Sequence, residues 1–377
     1  MELSEWGLCD WIQPLVKQVL HGPTGFCVGG LKIEDPISSA ACVPHEVLKN
    51  ANDIFSIAIP LAGDILRWQF IFDGSNPGSP PDILFSEYED FDPEYDDIIS
   101  LVKWDQENEE NLLHVVKDVV GLYKDHHKFK CYQLGEKFKT ELEELFECEG
   151  LNVEVSIKRT DRTGNQRTMN ILVQFQADFT DIIEKDIPLD AVIHSPLLLI
   201  KYELNTGKVA PVLFLPSHVE RVLGGRGALG APPFTVGLTV LDYVNRTRER
   251  VNESIKTLSE SHEKRCEYIA AFLSQFSGHV LEYDAEKFFK ISLLFNYQTF
   301  FFIIHVSLTK LFPSEQPVIT FQSAYHVTKR SQLCQSVSNN YPYSPRWPGS
   351  EMAKRAKLFI LEKIPHFKET CIRSGVL

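Results

Sequence analysis

The chain has no pair of cysteines at CxxC spacing; its eight cysteines, Cys9, Cys27, Cys42, Cys131, Cys148, Cys266, Cys334 and Cys371, are scattered over 377 residues. That pattern excludes a zinc ribbon and builds no disulfide framework, so reduced thiols of cytosol or nucleus are expected. Positive charge is short as well. With a net charge of −13 and a sequence pI near 5.4, the surface repels phosphate backbones and anionic lipids, and neither nucleic acid nor membrane is an expected partner. Long apolar runs are missing: the best stretch, Ile291 to Leu308, is broken by Asn296, Gln298 and His305. The opening MELSEWGLCDWIQPL puts acids before its apolar residues and lacks a basic region, which argues against a signal peptide. The Asn-x-Ser/Thr matches at Asn245 and Asn252 then read as chance.

Catalytic signatures are equally scarce. Gly-x-Ser-x-Gly, His-Glu-x-x-His and Walker patterns do not occur, so nothing supports a hydrolase acting alone. Gly225 to Gly230 fits G-x-G-x-x-G, but Pro232-Pro233 follow where a dinucleotide site needs a helix, and a loop is expected. His114, His126, His127 and Cys131 lie close together at none of the usual zinc-ligand spacings, and are expected on a helix surface and a loop. No cofactor or metal site is expected in the chain.

What the chain has is a repeat. Residues 66–85 (LRWQFIFDGSNPGSPPDILF) and 302–321 (FIIHVSLTKLFPSEQPVITF) share one pattern 236 residues apart. In both, apolar side chains alternate, Leu66, Trp68, Phe70, Phe72 against Phe302, Ile304, Val306, Leu308, which is the period of a strand with one buried face. Pro77, Pro81, Phe85 and Pro313, Pro317, Phe321 then fall at equal offsets. The prolines end central pairing because they carry no N–H. This strand, proline turn and short apolar strand resembles the middle of the ubiquitin-conjugating-enzyme fold. The resemblance implies an α+β chain of tandem ubiquitin-conjugating-enzyme-variant (UEV, RWD-like) modules, antiparallel meander sheets with flanking helices.

At 377 residues the chain has room for two or three domains. The pattern gives an N-terminal module over 1–130, with a helix near 4–20, strands near 26–33, 54–59 and 65–73, a solvated acidic loop at 86–97 and a helix from Asn111 to Tyr123. A helical connector occupies 131–150. A degenerate central module follows over 151–238, with strands near 153–158, 169–177 and 197–204, and Val212 to Phe214 after Pro211. A linking helix covers 239–261. The C-terminal module, 262–377, continues helical to about 276, then carries strands near 279–284, 288–296 and 299–308, the second proline turn, and a closing helix from Glu351 to about Lys363.

An active conjugating enzyme needs a thiolate after the proline turn and a nearby oxyanion donor. The first module has no cysteine between Cys42 and Cys131. In the last module Tyr325-His326 precedes Cys334 at a spacing near that of the enzyme family, but Val327-Thr328 replace the Pro-Asn that would supply the donor. Two readings stand: no catalytic residue at all, with Cys334 an ordinary loop thiol, or a conjugating enzyme using Cys334 with Lys329 and Arg330 nearby.

The remaining signal is a surface. Tyr341, Pro342, Tyr343, Pro345, Arg346 and Trp347 concentrate the side chains that dominate binding hot spots, although Trp347 could equally pack the last helix onto the sheet. Lys354, Arg355 and Lys357 follow as a basic patch. The words RCEYIAAFL (265–273), VLEYDAE (280–286), TFQSAYH (320–326), NYPYSPRW (340–347) and EMAKRAK (351–357) resemble the BRE (brain and reproductive organ-expressed) protein family. The resemblance is dense over 265–357 and looser through the first module. It implies a non-catalytic scaffold of a BRISC- or BRCA-A-type deubiquitinase assembly that cleaves lysine-sixty-three-linked polyubiquitin. The implied partners are a JAMM-type zinc deubiquitinase subunit that holds the metal, an Abraxas-like scaffold, a von Willebrand A-like subunit on the C-terminal module, and polyubiquitin itself. It also implies a cytoplasmic and nuclear location, with roles in DNA damage and in cell-cycle or cytokine signalling.

Overall fold

Alternating apolar residues fold the first repeat into a hairpin. The computed structural model describes residues 7–22, 25–38, 52–73, 76, 78–85, 90–159, 167–179, 195–235 and 237–376. The chain is α+β, its sheets antiparallel, and it divides into two compact units, 1–252 and 253–377. Pro77 and residues 86–89 of the acidic loop lie outside the described residues.

Unit 1 opens with α1 (Ile12–His21) and a meander of β1 (Lys32–Ile37), β2 (Ile54–Leu61), β3 (Asp64–Ile71) and β4 (Asp82–Leu84), ordered as they occur in sequence. α2 (Ile99–Val102) and α3 (Asn111–Tyr132) follow; Val116, Val119 and Val120 of α3 bury against Phe55, Trp68 and Phe70. α4 (Glu136–Glu147) leads into a second meander: β5 (Leu151–Arg159), β6 (Arg167–Phe175), β7 (Leu197–Glu203) and β8 (Lys208–Phe214). α5 (Ser217–Leu223) closes it. The β2–β3 turn, Ala62-Gly63, has φ of 48° and 79°, the mirror-image turn that matches strand twist. A Cβ on Gly63 would sit 2.7 Å from Leu199 of β7, so both the turn and the packing demand glycine.

One buried carboxylate ties the two meanders together. Glu154 of β5 is 1% exposed; it accepts from the backbone N–H of Val28 at 3.0 Å and of Ala62 at 2.8 Å, and lies 3.4 Å from Lys124 Nζ of α3. Nearby, the buried His127 of α3 accepts the Ile157 N–H on Nδ1 at 3.1 Å.

α6 (Val240–Gln275) is one continuous helix that runs from the first unit into the second. Unit 2 continues with β9 (Val280–Tyr283), β10 (Lys290–Tyr297), β11 (Phe300–Ser307), β12 (Val318–Thr328), β13 (Leu333–Ser338), α7 (Gly349–Ser374) and β14 (Gly375–Val376). The sheet order is β13-β12-β11-β10-β9, with β14 also paired to β12. Its core joins Tyr268 and Phe272 of α6 to Phe302 and Phe321 of the sheet and to Ile360 and Phe367 of α7. The spacing of 236 holds throughout the hairpin: β2 and β10, β3 and β11, and the positive-φ turns Ala62-Gly63 and Gln298-Thr299 all coincide under it. Among the described residues no helix is long and apolar enough to cross a membrane.

Four local expectations need correction. The strand expected at 26–33 begins only at Lys32, because the Val28 N–H goes to Glu154 rather than to a ladder and Gly29 turns the chain at φ 134°. α7 continues through Pro365 to Ser374: the ring is tolerated because its side of the helix is exposed, and only the Leu361 carbonyl loses a donor. His126, His127 and Cys131 do not sit on a helix surface and a loop, since all lie on α3 and both His127 and Cys131 are buried. The stretch after the second proline turn contains an ordered strand, β13.

Candidate partner-binding site

The aromatic segment of unit 2 is built on its proline turn. Phe312 O accepts from Ser261 Oγ at 2.6 Å, and Arg265 donates to Ser261 Oγ at 2.8 Å and to Lys287 O at 3.0 Å. The guanidinium also lies 4.4 Å from the Phe289 ring centroid. Ser261 and Arg265, one helical turn apart on α6, thus anchor the turn from below. The segment 341–347 clamps it from above. Tyr341 donates to Pro317 O at 3.0 Å, Tyr343 to Pro313 O at 2.5 Å, and Gln316 returns a bond to Tyr341 O at 2.9 Å. Tyr341 stacks on Phe359 of α7 with centroids 5.3 Å apart. Burial pushes the Tyr341 phenol up to about 12 and raises Tyr343 as well, so both are neutral donors across the physiological range.

The segment therefore splits. Tyr341 and Tyr343 face inward, while Pro342, Pro345 and Arg346 are exposed. Trp347 is half-buried against the core, with the Arg355 guanidinium 5.6 Å over its ring and Glu351 2.7 Å from Arg355 Nε. The Gly349 N–H at the start of α7 donates to Glu267 Oε1 at 2.8 Å, and this bond, with one from Lys264, holds the Glu267 carboxyl below its ordinary range. Of the six residues singled out in the sequence, four present a surface and two hold it in shape. The anchors Ser261 and Arg265 escaped sequence analysis; the available signal was a polar pair at i, i+4 inside an otherwise apolar helix face.

The thiol reading fares differently. Cys334 sits on β13 with 4% exposure, facing α7 beside Cys371. Burial, and then the Cys334 thiol beside it, push Cys371 up to about 12. His326 is 7% exposed, bonds Ser323 Oγ through Nδ1 at 3.3 Å, and lines a different cavity with Phe300, Tyr325 and Lys368. The structure does not bring Cys334 and His326 together in one open groove.

A family model described as Brain and reproductive organ-expressed protein (BRE) matches residues 8–327. The chain is 38% identical over 376 residues to "BRISC and BRCA1-A complex member 2" of Branchiostoma floridae, covering 97% of this chain and 96% of that protein. It is also 38% identical over 333 residues to the protein of the same name from Danio rerio, covering 86% of each.

Proposed function

The chain belongs to the brain and reproductive organ-expressed protein (BRE) family, and on that premise we propose that it is a non-catalytic scaffold subunit of a BRISC- or BRCA1-A-type deubiquitinase assembly. The observation that carries this is the collinear identity, over 97% of the chain, to a protein named as a member of those complexes. On this reading the chain bridges a JAMM-type zinc deubiquitinase and its Abraxas-like scaffold to a von Willebrand A-like subunit, in an assembly that cleaves lysine-sixty-three-linked polyubiquitin. Polyubiquitin is a further proposed ligand, and the proposed location is both cytoplasmic and nuclear. The hairpins repeated at constant spacing support a pair of ubiquitin-conjugating-variant modules. The von Willebrand A-like subunit is assigned to unit 2, at the surface formed by Pro342, Pro345, Arg346 and Trp347.

Co-purification tests the assembly and the dock together. A tagged chain isolated from its own cells should bring down a zinc metalloprotease and a von Willebrand A-like subunit; a chain that elutes alone would overturn the reading. Arg346→Glu combined with Trp347→Ala should weaken the von Willebrand A-like subunit by roughly thirtyfold, equivalent to about 2 kcal/mol at an interface hot spot. Tyr343→Ala should instead lower the melting temperature of unit 2, because it removes the bond to Pro313 O. Retention of the subunit by a well-folded Arg346→Glu, Trp347→Ala chain would move the dock elsewhere.

The competing reading, a conjugating enzyme using Cys334, is opposed by that residue's burial and by its missing oxyanion donor. Given activating enzyme, ATP and ubiquitin, the purified chain is expected to form no reducible adduct. An adduct lost on Cys334→Ala would establish the enzyme instead.

A further inference from the structure

The two edges of the unit 2 sheet are protected unequally. β9 is four residues long and carries Glu282, whose carboxylate pairs with Lys290 at 2.7 Å. Short length and charge are the usual means of blunting a sheet edge. β13 has neither. Its six residues, LCQSVS, contain no charge and no proline, and among the described residues their ladder runs to β12 alone. Alternate amides and carbonyls of an antiparallel edge strand point outward with no partner.

Side-chain features converge on the same edge. Beneath β13, against α7, lies a cavity of about 210 Å³ floored by Phe321, Cys334, Phe367 and Cys371. Among the described residues that line it, the ionisable groups besides the two floor cysteines are Lys363 and His366, both exposed, and none is a carboxylate. On the opposite face Val337 is 66% exposed and Leu333 37%. The turn from β12 to β13 adds Lys329 and Arg330, exposed and without an ion pair among the described residues. A chain with net charge −13 thus gathers positive charge around its one unblunted edge in this sheet.

We propose that the outer edge of β13 takes an acidic, extended segment of a partner protein as an added strand. The segment's backbone would complete the free ladder, its alternate side chains covering Val337 and Leu333 on one face and filling the cavity above Cys334 on the other. Its carboxylates would meet Lys363, His366, Lys329 and Arg330. Strand addition takes affinity from main-chain bonds and specificity from pockets for alternate side chains. The inference deepens the subunit reading and rests on it for the partner's existence, but its test uses this chain and a synthetic peptide, so it can fail while co-purification succeeds.

The probe is a blocked eight-residue peptide alternating glutamate or aspartate with valine, added to the full chain and followed by hydrogen exchange and by fluorescence anisotropy. Exchange within 333–338 should slow at least tenfold. The peptide's Kd should rise at least tenfold in a Lys363→Glu, His366→Glu chain of unchanged melting temperature, and stay put in a Lys310→Glu control. Methylating alternate peptide nitrogens should abolish protection, since that removes ladder donors without altering charge. The proposal is overturned by absent protection at 333–338, by protection indifferent to charge reversal, or by equal binding of the methylated peptide. Protection without peptide, accompanied by self-association, would give the edge to a second copy of the chain and overturn it too.

Discussion

Glu154→Ala is expected to cost unit 1 about 3–5 kcal/mol, the range for breaking a buried charge pair from one side. The carboxylate is 1% exposed, accepts from the Val28 and Ala62 N–H groups, and forms an ion pair with Lys124 Nζ, which itself donates to Phe26 O. Alanine leaves the buried Ala62 amide and the part-buried Val28 amide without their acceptor, at about 1–3 kcal/mol for a fully buried group, and strips the counter-charge from a lysine whose side chain is only 29% exposed. Glu154→Gln should fall in between. Its amide oxygen can accept one N–H, but its NH₂ then faces another donor. The measurement is urea unfolding followed by tryptophan fluorescence, with Trp11, Trp68 and Trp104 in unit 1 reporting directly. A Glu154→Ala chain within 1 kcal/mol of the parent would show that the site is open to water and that the meanders are held by apolar packing alone.

That staple also shows where sequence analysis stops. In β5 the apolar residues Leu151, Val153, Val155 and Ile157 alternate with Asn152, Glu154, Ser156 and Lys158, and one-strand logic assigns the second set to solvent. Glu154 and Ser156 are nevertheless buried, because the β2–β3 turn and α3 cover that face. Periodicity sees one sheet at a time; a second layer supplied by distant sequence is invisible to it. The hairpins were legible for the complementary reason. Their strands, turns and prolines depend on local chemistry, so the same offset of 236 found in the sequence recurs in β2, β3, β10 and β11.

The candidate site was legible in composition but not in orientation. Tyr341 to Trp347 stands out in the sequence as a hot-spot-rich run, yet nothing local says that two tyrosines turn inward to the carbonyls of Pro313 and Pro317. Those acceptors exist because prolines interrupt the ladder. β13 was hidden because an edge strand needs no apolar stripe, and Leu333 to Ser338 reads as a polar loop. The run of α7 past Pro365 was hidden because a proline inside a helical pattern costs a hydrogen bond and a ring clash, and only the tertiary packing of Phe367 and Cys371 into the unit 2 core, invisible locally, offsets that cost.

Acid should weaken unit 1 through His127, and the sign follows from its surroundings. Its Nδ1 accepts the Ile157 N–H, which fixes a neutral ring. Burial first, then Lys130, His126 and Lys158, press its pKa down to about 3 from an ordinary 6.5, with Asp90 opposing. Above pH 6.5 the ring is neutral folded and unfolded, so it contributes no pH dependence. Below 6.5 the unfolded chain takes up a proton that the folded chain refuses until about pH 3. Stability therefore falls as pH drops through that window, by up to about 1.4 kcal/mol per unit. Between pH 6.5 and 5, before most carboxylates titrate, the loss should reach about 2 kcal/mol. His126, lowered by burial and by Lys130, adds in the same direction. His127→Asn keeps an acceptor for Ile157 but cannot titrate, so it should start less stable at pH 7.5 and lose less on acidification. Urea midpoints for both chains at pH 7.5, 6.5, 5.8 and 5.0 measure the difference in slope. Parallel pH profiles would mean that His127 is protonated in the folded state and that its contact with Ile157 is not the one described.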